Sequence, residues 1–332
     1  LLSRGLGDVY KRQGNRCTFS GRGRLAKRPL TPYYNLFDEK SIAYETTEGG
    51  LPLTVEGRLE AGTYALQGDV SSQFFSGLLM TLPLLDGDSR LRSTTPLESA
   101  SYVDMTIDCL RQHGVVIDKE WDGSYRIAGN QSYRPGTYTV EGDYSQAAFW
   151  LSAGTLGRAV CCTGLRQHSS QGDEVIVSLI RDMGGQIEGK TELTACPSDL
   201  VGRVIDVQDC PDLVPVLTVL ASCAKGITRI VHAGRVRLKE CDRLHAMATE
   251  LNKIGGDVEE EAEGLIIHGV DGFTGGTVSG WNDHRIAMAL AVASQRCRQP
   301  LRIEGAECVR KSYPDFWKDF ETLGGMIEKE EG

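Results

Sequence analysis

The sequence predicts an α/β fold assembled from a repeated α+β unit and divided between two domains. Three observations predict it. A helix–glycine–strand pattern recurs in Cys109–Ile117, Leu179–Ile187, Leu251–Val258 and Phe320–Ile327, with glycines 114, 184, 255 and 324 spaced by 70, 71 and 69 residues. Each copy reads as an amphipathic helix closed by a glycine C-cap, then a β-branched strand. That period is too long for an ordinary solenoid and suits a compact unit burying a helix against its own sheet. The chain has 332 residues, enough for roughly two domains. Its 40% hydrophobic and 24% charged content is that of a globular chain and excludes a disordered or fibrous one.

Along the chain, Leu1–Gln13 shows neither helical nor strand period and lacks the continuous apolar core of a signal peptide. It reads as translated adapter sequence, and the protein proper begins near Gly14. Gly21–Pro29 is a basic loop without interleaved aromatics for stacking bases. Leu36–Ser41 is a fifth, weaker copy of the repeat, followed by a turn at Gly49-Gly50. Tyr64–Gln67 is a strand. Val70–Met80 has a polar helix opening, Ser71-Ser72-Gln73, before an apolar stretch. Thr137–Glu141 alternates like a strand. The domain boundary falls at Val140–Asp143, between turn-rich Asn130–Gly136 and the apolar helix Ala147–Ala153, giving domains 14–140 and 141–332. Gly264–His268 is a further strand, and Gly275-Gly276 a turn.

The charge balance, 36 basic against 45 acidic residues, excludes a general polyanion binder but allows a local basic site. The longest nearly apolar run, Leu213–Ala224, is twelve residues, short of the roughly 20 a membrane helix needs, so a soluble protein is expected. None of the ten cysteines forms a C-x-x-C pair, and no Cys/His group has zinc spacing. They read as free thiols of a reducing compartment. Cys161 and Cys162 are expected on a strand, and Cys241 is the best candidate for a reactive cysteine because it sits in a charged motif.

Three helix starts carry cations: Lys239–Arg243 before Leu244, Met247 and Leu251; Asn282–Arg285 before an apolar helix; and Lys311–Asp315, with Pro314 in the first turn of the last helix. A helix N-terminus is the positive end of the dipole, and Lys239 and Arg243 at i,i+4 repel. Both costs vanish if an anion sits among them, so the pattern predicts a phosphate or carboxylate site. Asp212, before Leu213-Val214-Pro215, is either an N-cap or a general base held near these cations. Serines 71 and 72 either cap a helix or bind a phosphate, and His284 either caps or joins the anion site.

Arg24–Pro29, Val70–Gln73, Leu238–Leu244 and Asn282–Arg285, in this order, resemble the 5-enolpyruvylshikimate-3-phosphate synthase family, from about Gly14 to the C-terminus. The resemblance implies two similar domains, each of three βαβαββ units. Five of the six would be present, and helix N-termini of both domains would face the cleft between them. It implies transfer of the enolpyruvyl group of phosphoenolpyruvate to the 5-hydroxyl of shikimate 3-phosphate, with phosphate released through a tetrahedral intermediate. No metal or organic cofactor is implied. Ser71, Ser72, Gln73, Ser99, Tyr102, Asp212 and Lys239 match contacts to shikimate 3-phosphate. Arg28, Gln73, Arg243, His284, Arg285 and Lys311 match the phosphoenolpyruvate site. Asp212 is the implied base for the 5-hydroxyl, and Glu240 and Lys311 the groups that move the methylene proton. A monomer in the cytoplasm is implied, or in the plastid if the source is a plant, with no nucleic-acid or membrane partner.

The family's Lys-Ser…Arg and Asn-x-Gly-Thr motifs are absent and would precede Gly14. The expectation is therefore a truncated chain that is inactive or nearly so, which normal turnover would overturn. The related transferase acting on UDP-N-acetylglucosamine usually carries a loop cysteine near the position of Arg24, and none lies between Cys17 and Cys109. A non-catalytic RNA binder, as in RNA 3′-phosphate cyclases, is opposed by the acidic charge balance and by Ser71-Ser72-Gln73.

Overall fold

The computed structural model describes residues 16–28 and 30–329. The stretch Leu1–Gln13, Gly14 and Pro29 lie outside the described residues. Two compact units divide between Thr139 and Val140, each with its own hydrophobic core.

The first unit begins with strand β1 (Cys17–Phe19), helix α1 (Thr31–Glu39), and strands β2 (Ala43–Thr47) and β3 (Gly50–Glu56), which form an antiparallel sheet in the order β1-β3-β2. A complete unit follows: β4 (Thr63–Leu66), α2 (Gln73–Thr81), β5 (Ser89–Ser93), α3 (Ala100–Gln112), β6 (Ile117–Lys119) and β7 (Tyr125–Ile127). Its sheet runs β4-β5-β7-β6, with β4 and β5 parallel and the β6–β7 hairpin antiparallel. Phe74, Phe75, Leu78 and Leu79 of α2 are buried against Tyr64 and Leu91 of that sheet's core.

The second unit opens with α4 (Tyr144–Leu156), β8 (Val160–Cys162), α5 (Ile176–Asp182), β9 (Gln186–Glu188) and β10 (Leu193–Cys196), with sheet order β8-β10-β9. A second complete unit comprises β11 (Val204–Asp206), α6 (Val214–Ser222), β12 (Ile227–Val231), α7 (Arg243–Lys253), β13 (Asp257–Glu261) and β14 (Gly264–His268). Its order β11-β12-β14-β13, with β11 and β12 parallel, repeats the topology of the first. The parallel pair β15 (Gly276–Ser279) and β16 (Leu301–Glu304), with α8 (His284–Ala293) between them and α9 (Phe316–Thr322) after, closes the fold. Every residue of α6 and α8 is buried, as is all of α4 except Gln146. A helix apolar all round belongs in a core. These three pack on one another, each backed by its own sheet.

The βαβαββ repeat is thus present twice in full and three times in part, and the expected fold class is found. Gly114, Gly184, Gly255 and Gly324 all have positive φ, between 83° and 97°. In the weaker copy Ser41 holds the same place at φ 52°, an unfavourable conformation for a side chain. Three expectations fail. In the last copy no strand follows Gly324: residues 325–329 form none, and Met326 is 96% exposed. Thr137–Glu141 pairs with no strand, and Val140 is 80% exposed. Its alternation finds no neighbouring edge, and a strand needs a ladder partner. Pro314 is not in the first turn of α9; it precedes the N-cap Asp315. Lys311 ends a 3₁₀ turn, Ala306–Lys311, rather than starting that helix.

Candidate active site

In the second unit the charged motifs converge on Arg243. Asp242 caps α7 by accepting from the His245 amide, and Asp283 caps α8 by accepting from the Arg285 amide at 2.9 Å. These caps fix where each helix starts and turn Arg243, the first residue of α7, inward. Its side chain is 1% exposed. Nε donates to Asp283 Oδ2 at 2.8 Å, Nη1 to Asp212 Oδ1 at 2.7 Å, and Nη2 to Glu240 Oε2 at 2.8 Å and to Asp283 Oδ1 at 3.3 Å. Arg285 Nη2 donates to Asp212 Oδ2 at 3.2 Å, and Lys239 Nζ lies 3.4 Å from Asp212 Oδ1.

The cations at helix starts are therefore partly neutralised by the chain itself. Lys239 lies outside α7, and Asp212 sits between it and Arg243, so the expected repulsion is relieved. Asp212 lies in the 3₁₀ turn Pro211–Leu213, and the N-cap of α6 is Leu213, not Asp212. Of its two readings, the one among cations describes its place. Burial alone would push its carboxyl up, but Arg285, Lys239 and Arg243 hold it well below the usual carboxylate range. It is ionised at neutral pH. Asp283 is likewise lowered against the cost of burial by Arg243 and by the Arg285 amide.

His284 is pushed down to about 4 by burial and by the Arg285 charge, so it stays neutral. Its Nδ1 is buried without a partner, 3.8 Å from Asp283 Oδ1. Lys311 joins through the backbone, its Nζ donating to the Asn282 carbonyl. Cys241 is buried, with Sγ 3.6 Å from Asp283 Oδ2. Burial and Asp283 push its thiol far up, so it is not a reactive cysteine.

Two further residues of this cluster escaped the sequence reading. Asp283 supports both Arg243 and the α8 start, and its signal was available: an Asp directly before an apolar helical run is an N-cap. Asp173, 3% exposed, accepts from the Ser145 hydroxyl, and burial with the nearby Asp212 charge pushes it up to about 6. Nothing at its position announces burial.

In the first unit the loops before α2 and α3 are tied together. Thr95 Oγ1 accepts from the Gly68 and Asp69 amides at 2.9 and 3.2 Å, and the Glu98 amide donates to Gly68 O. A Cβ at Gly68 would meet Ser93 Oγ at 2.3 Å and Leu97 Cα at 2.8 Å, so only glycine fits this crossing. Helices α2 and α3 are linked by Ser76 and Thr106 at 2.7 Å. These ties join the segment leading to Ser71, Ser72 and Gln73 with the one leading to Ser99 and Tyr102, each group at the start of its helix. Ser71 Oγ accepts from the Gln73 amide, and the Tyr102 amide donates to Ser99 O. Ser99 holds φ 51°, a strained conformation of the kind that clusters at ligand sites. Arg28 follows the 3₁₀ turn Gly23–Lys27 and is half-buried.

Among the described residues no His/Cys/Asp/Glu group has a geometry to hold a metal ion. The profile of the EPSP synthase (3-phosphoshikimate 1-carboxyvinyltransferase) family matches residues 3–320, a span that begins within Leu1–Gln13. A 3-phosphoshikimate 1-carboxyvinyltransferase of Clostridium kluyveri is 53% identical over 317 residues, covering 95% of this chain and 74% of the relative. That of Clostridium acetobutylicum is 52% identical over 312 residues, covering 94% and 73%. The solved EPSP synthase of Acinetobacter baumannii superposes with a TM-score of 0.81 at 25% identity, covering 98% of this chain and 77% of that one. The enolpyruvyl transferase NikO of Streptomyces tendae shares the fold, with a TM-score of 0.78 at 20% identity, covering 97% and 76%.

Proposed function

Because this chain belongs to the EPSP synthase (3-phosphoshikimate 1-carboxyvinyltransferase) family, we infer that its chemistry is carried by the Asp212–Arg243–Arg285 network. The protein is a transferase of the shikimate pathway, moving enolpyruvyl from phosphoenolpyruvate to shikimate 3-phosphate. The residue roles that follow are our assignment.

Asp212 takes the proton of the 5-hydroxyl as its oxygen attacks C2 of phosphoenolpyruvate. One proton is added at the methylene carbon, giving a tetrahedral intermediate. Loss of a proton from that carbon and expulsion of phosphate restore the double bond. Arg28, Gln73, Arg243, His284, Arg285 and Lys311 hold the phosphoenolpyruvate, with the cations stabilising charge that develops during addition. Ser71, Ser72, Gln73, Ser99, Tyr102 and Lys239 hold shikimate 3-phosphate, with Asp212 on its ring hydroxyls. Glu240 or Lys311 moves the methylene proton. The Arg243–Glu240 bond gives Glu240 a way in: an anion that takes the Nη2 donor releases the carboxylate. We also propose a cytoplasmic monomer, in keeping with the bacterial relatives. No helix among the described residues is long and apolar enough to cross a membrane.

The observation that supports this reading most is Asp212 held ionised by three cations while two of them reach it by hydrogen bonds. The test is phosphate release with shikimate 3-phosphate and with UDP-N-acetylglucosamine as alternative acceptors, on the wild type and D212N. Whatever turnover this chain retains without the two absent motifs is expected with the first acceptor alone, with a loss of about a hundredfold or more in D212N. Release with the nucleotide sugar alone, or full activity in D212N, sinks the assignment.

A further inference from the structure

Behind the site lies a buried carboxylate with no role in the reaction above. Glu250, on the third turn of α7, has no solvent exposure. Its carboxylate is fully used: Oε2 accepts from the Ser279 amide at 3.0 Å, Oε1 from Trp281 Nε1 at 2.6 Å, and both oxygens from Lys253 Nζ at 2.9 Å. The two partners beyond its own helix belong to the turn that leads from β15 into α8.

That turn is strained. Trp281 and Asn282 are consecutive non-glycine residues in the left-handed region, at φ 51° and 50°. Such a pair persists only where the surroundings over-determine it. The turn supplies the Asn282 carbonyl, which receives Lys311 Nζ. The next residue, Asp283, is fixed separately by its bonds to Arg243 and the Arg285 amide. A water-accessible loop would reach the same conformation only a fraction of the time. A buried carboxylate gripping it at both ends holds it there.

We propose that Glu250 is a positioning residue that fixes the Ser279–Asn282 turn and through it the Lys311 ammonium. This rests on the assignment of Lys311 to the phosphoenolpyruvate site. The consequence is specific: loss of Glu250 should weaken the subsite that Lys311 serves and leave the first unit's shikimate 3-phosphate residues untouched.

The test is a double-mutant cycle on the whole chain, with E250A, K311A and the pair, measuring affinity for phosphoenolpyruvate and for shikimate 3-phosphate by calorimetry. W281F, which removes one bond to Glu250 and no charge, serves if E250A does not fold. E250Q keeps the shape and one acceptor oxygen, hence one of the two bonds to the turn, and should restore part of the loss. Expected are a loss of about tenfold in phosphoenolpyruvate affinity for E250A, a change under about twofold for shikimate 3-phosphate, and no further loss when E250A is added to K311A. Multiplying losses, or equal weakening of both ligands, overturn the proposal. If K311A itself changes no affinity, the assignment of Lys311 fails instead. The proposal is then decided by the acylation rate of the Lys311 amine, read by mass spectrometry against Lys318. A several-fold rise in E250A or W281F supports it, and an unchanged rate overturns it.

Discussion

Replacing Asp283 tests the network at its most buried point. D283A removes two things at once. The cap on the Arg285 amide contributes about 1 kcal/mol. The carboxylate on Arg243 contributes more, because removing one partner of a buried pair strands the other charge, at about 3–5 kcal/mol. Asp212 and Glu240 still hold the guanidinium, so the low end of that range applies, and D283A should lose about 4 kcal/mol in all. D283N keeps the cap but not the charge and should lose about 3 kcal/mol. The assay is urea denaturation followed by tryptophan fluorescence, since Trp150, Trp281 and Trp317 lie in the second unit. The pH dependence adds a second reading. Asp283 has a lowered pKa, so its stabilisation is fully present above the ordinary carboxylate pKa of about 3.9 and is lost as the pH falls through its lower folded value. The acid limb should therefore be shallower in D283N than in the wild type. A loss under about 1 kcal/mol in D283A would refute the argument, as would a D283N that is as stable as the wild type.

Asp173 should show the opposite sign. Its pKa is raised from 3.8 to about 6, so its favourable contribution is complete below about pH 4 and lost as the pH rises through 6. D173N, which can still accept from Ser145, should equal the wild type at pH 4 and exceed it by about 3 kcal/mol at pH 8 in the same denaturation assay. The His284 ring should titrate near pH 4 by NMR; because its pKa is lowered, its stabilisation is complete above about pH 6.5 and declines toward 4. In timed alkylation read by mass spectrometry, exposed Cys109 and Cys161 should react first and buried Cys210, Cys241 and Cys308 last.

The repeat was legible because its signal is local. A glycine that must take a positive φ after a helix leaves a mark at every copy, and Ser41 shows how a copy without it becomes faint. The charged helix starts were legible for the same reason: caps and cations are read from neighbours in sequence. What could not be read was which anion answers which cation. Asp212 meets Arg285 across 73 residues, and Asp283 meets Arg243 across 40. No local pattern encodes such pairings, so the sequence suggested an excess of positive charge where the chain supplies its own carboxylates. The strand expected at Thr137–Glu141 failed in the same way, since alternation is local and a ladder partner is not. Lys311 was placed at a helix start because Pro314 looked like a first-turn residue, and the intervening 3₁₀ turn has no sequence mark of its own.

The three inner helices α4, α6 and α8 set a clock for the second unit. Amides in their middle turns have no water beside them, so their hydrogen exchange should await opening of the whole unit. The first amides of each helix have no intrahelical acceptor and exchange by a separate, faster route unless a cap or ligand holds them. At α8 the Arg285 amide already has Asp283, and the proposed anion site lies at the same helix start. A bound anion should therefore appear as slowed exchange at a few amides near Asp212 and Arg285, against a helical background too slow to change on the same timescale.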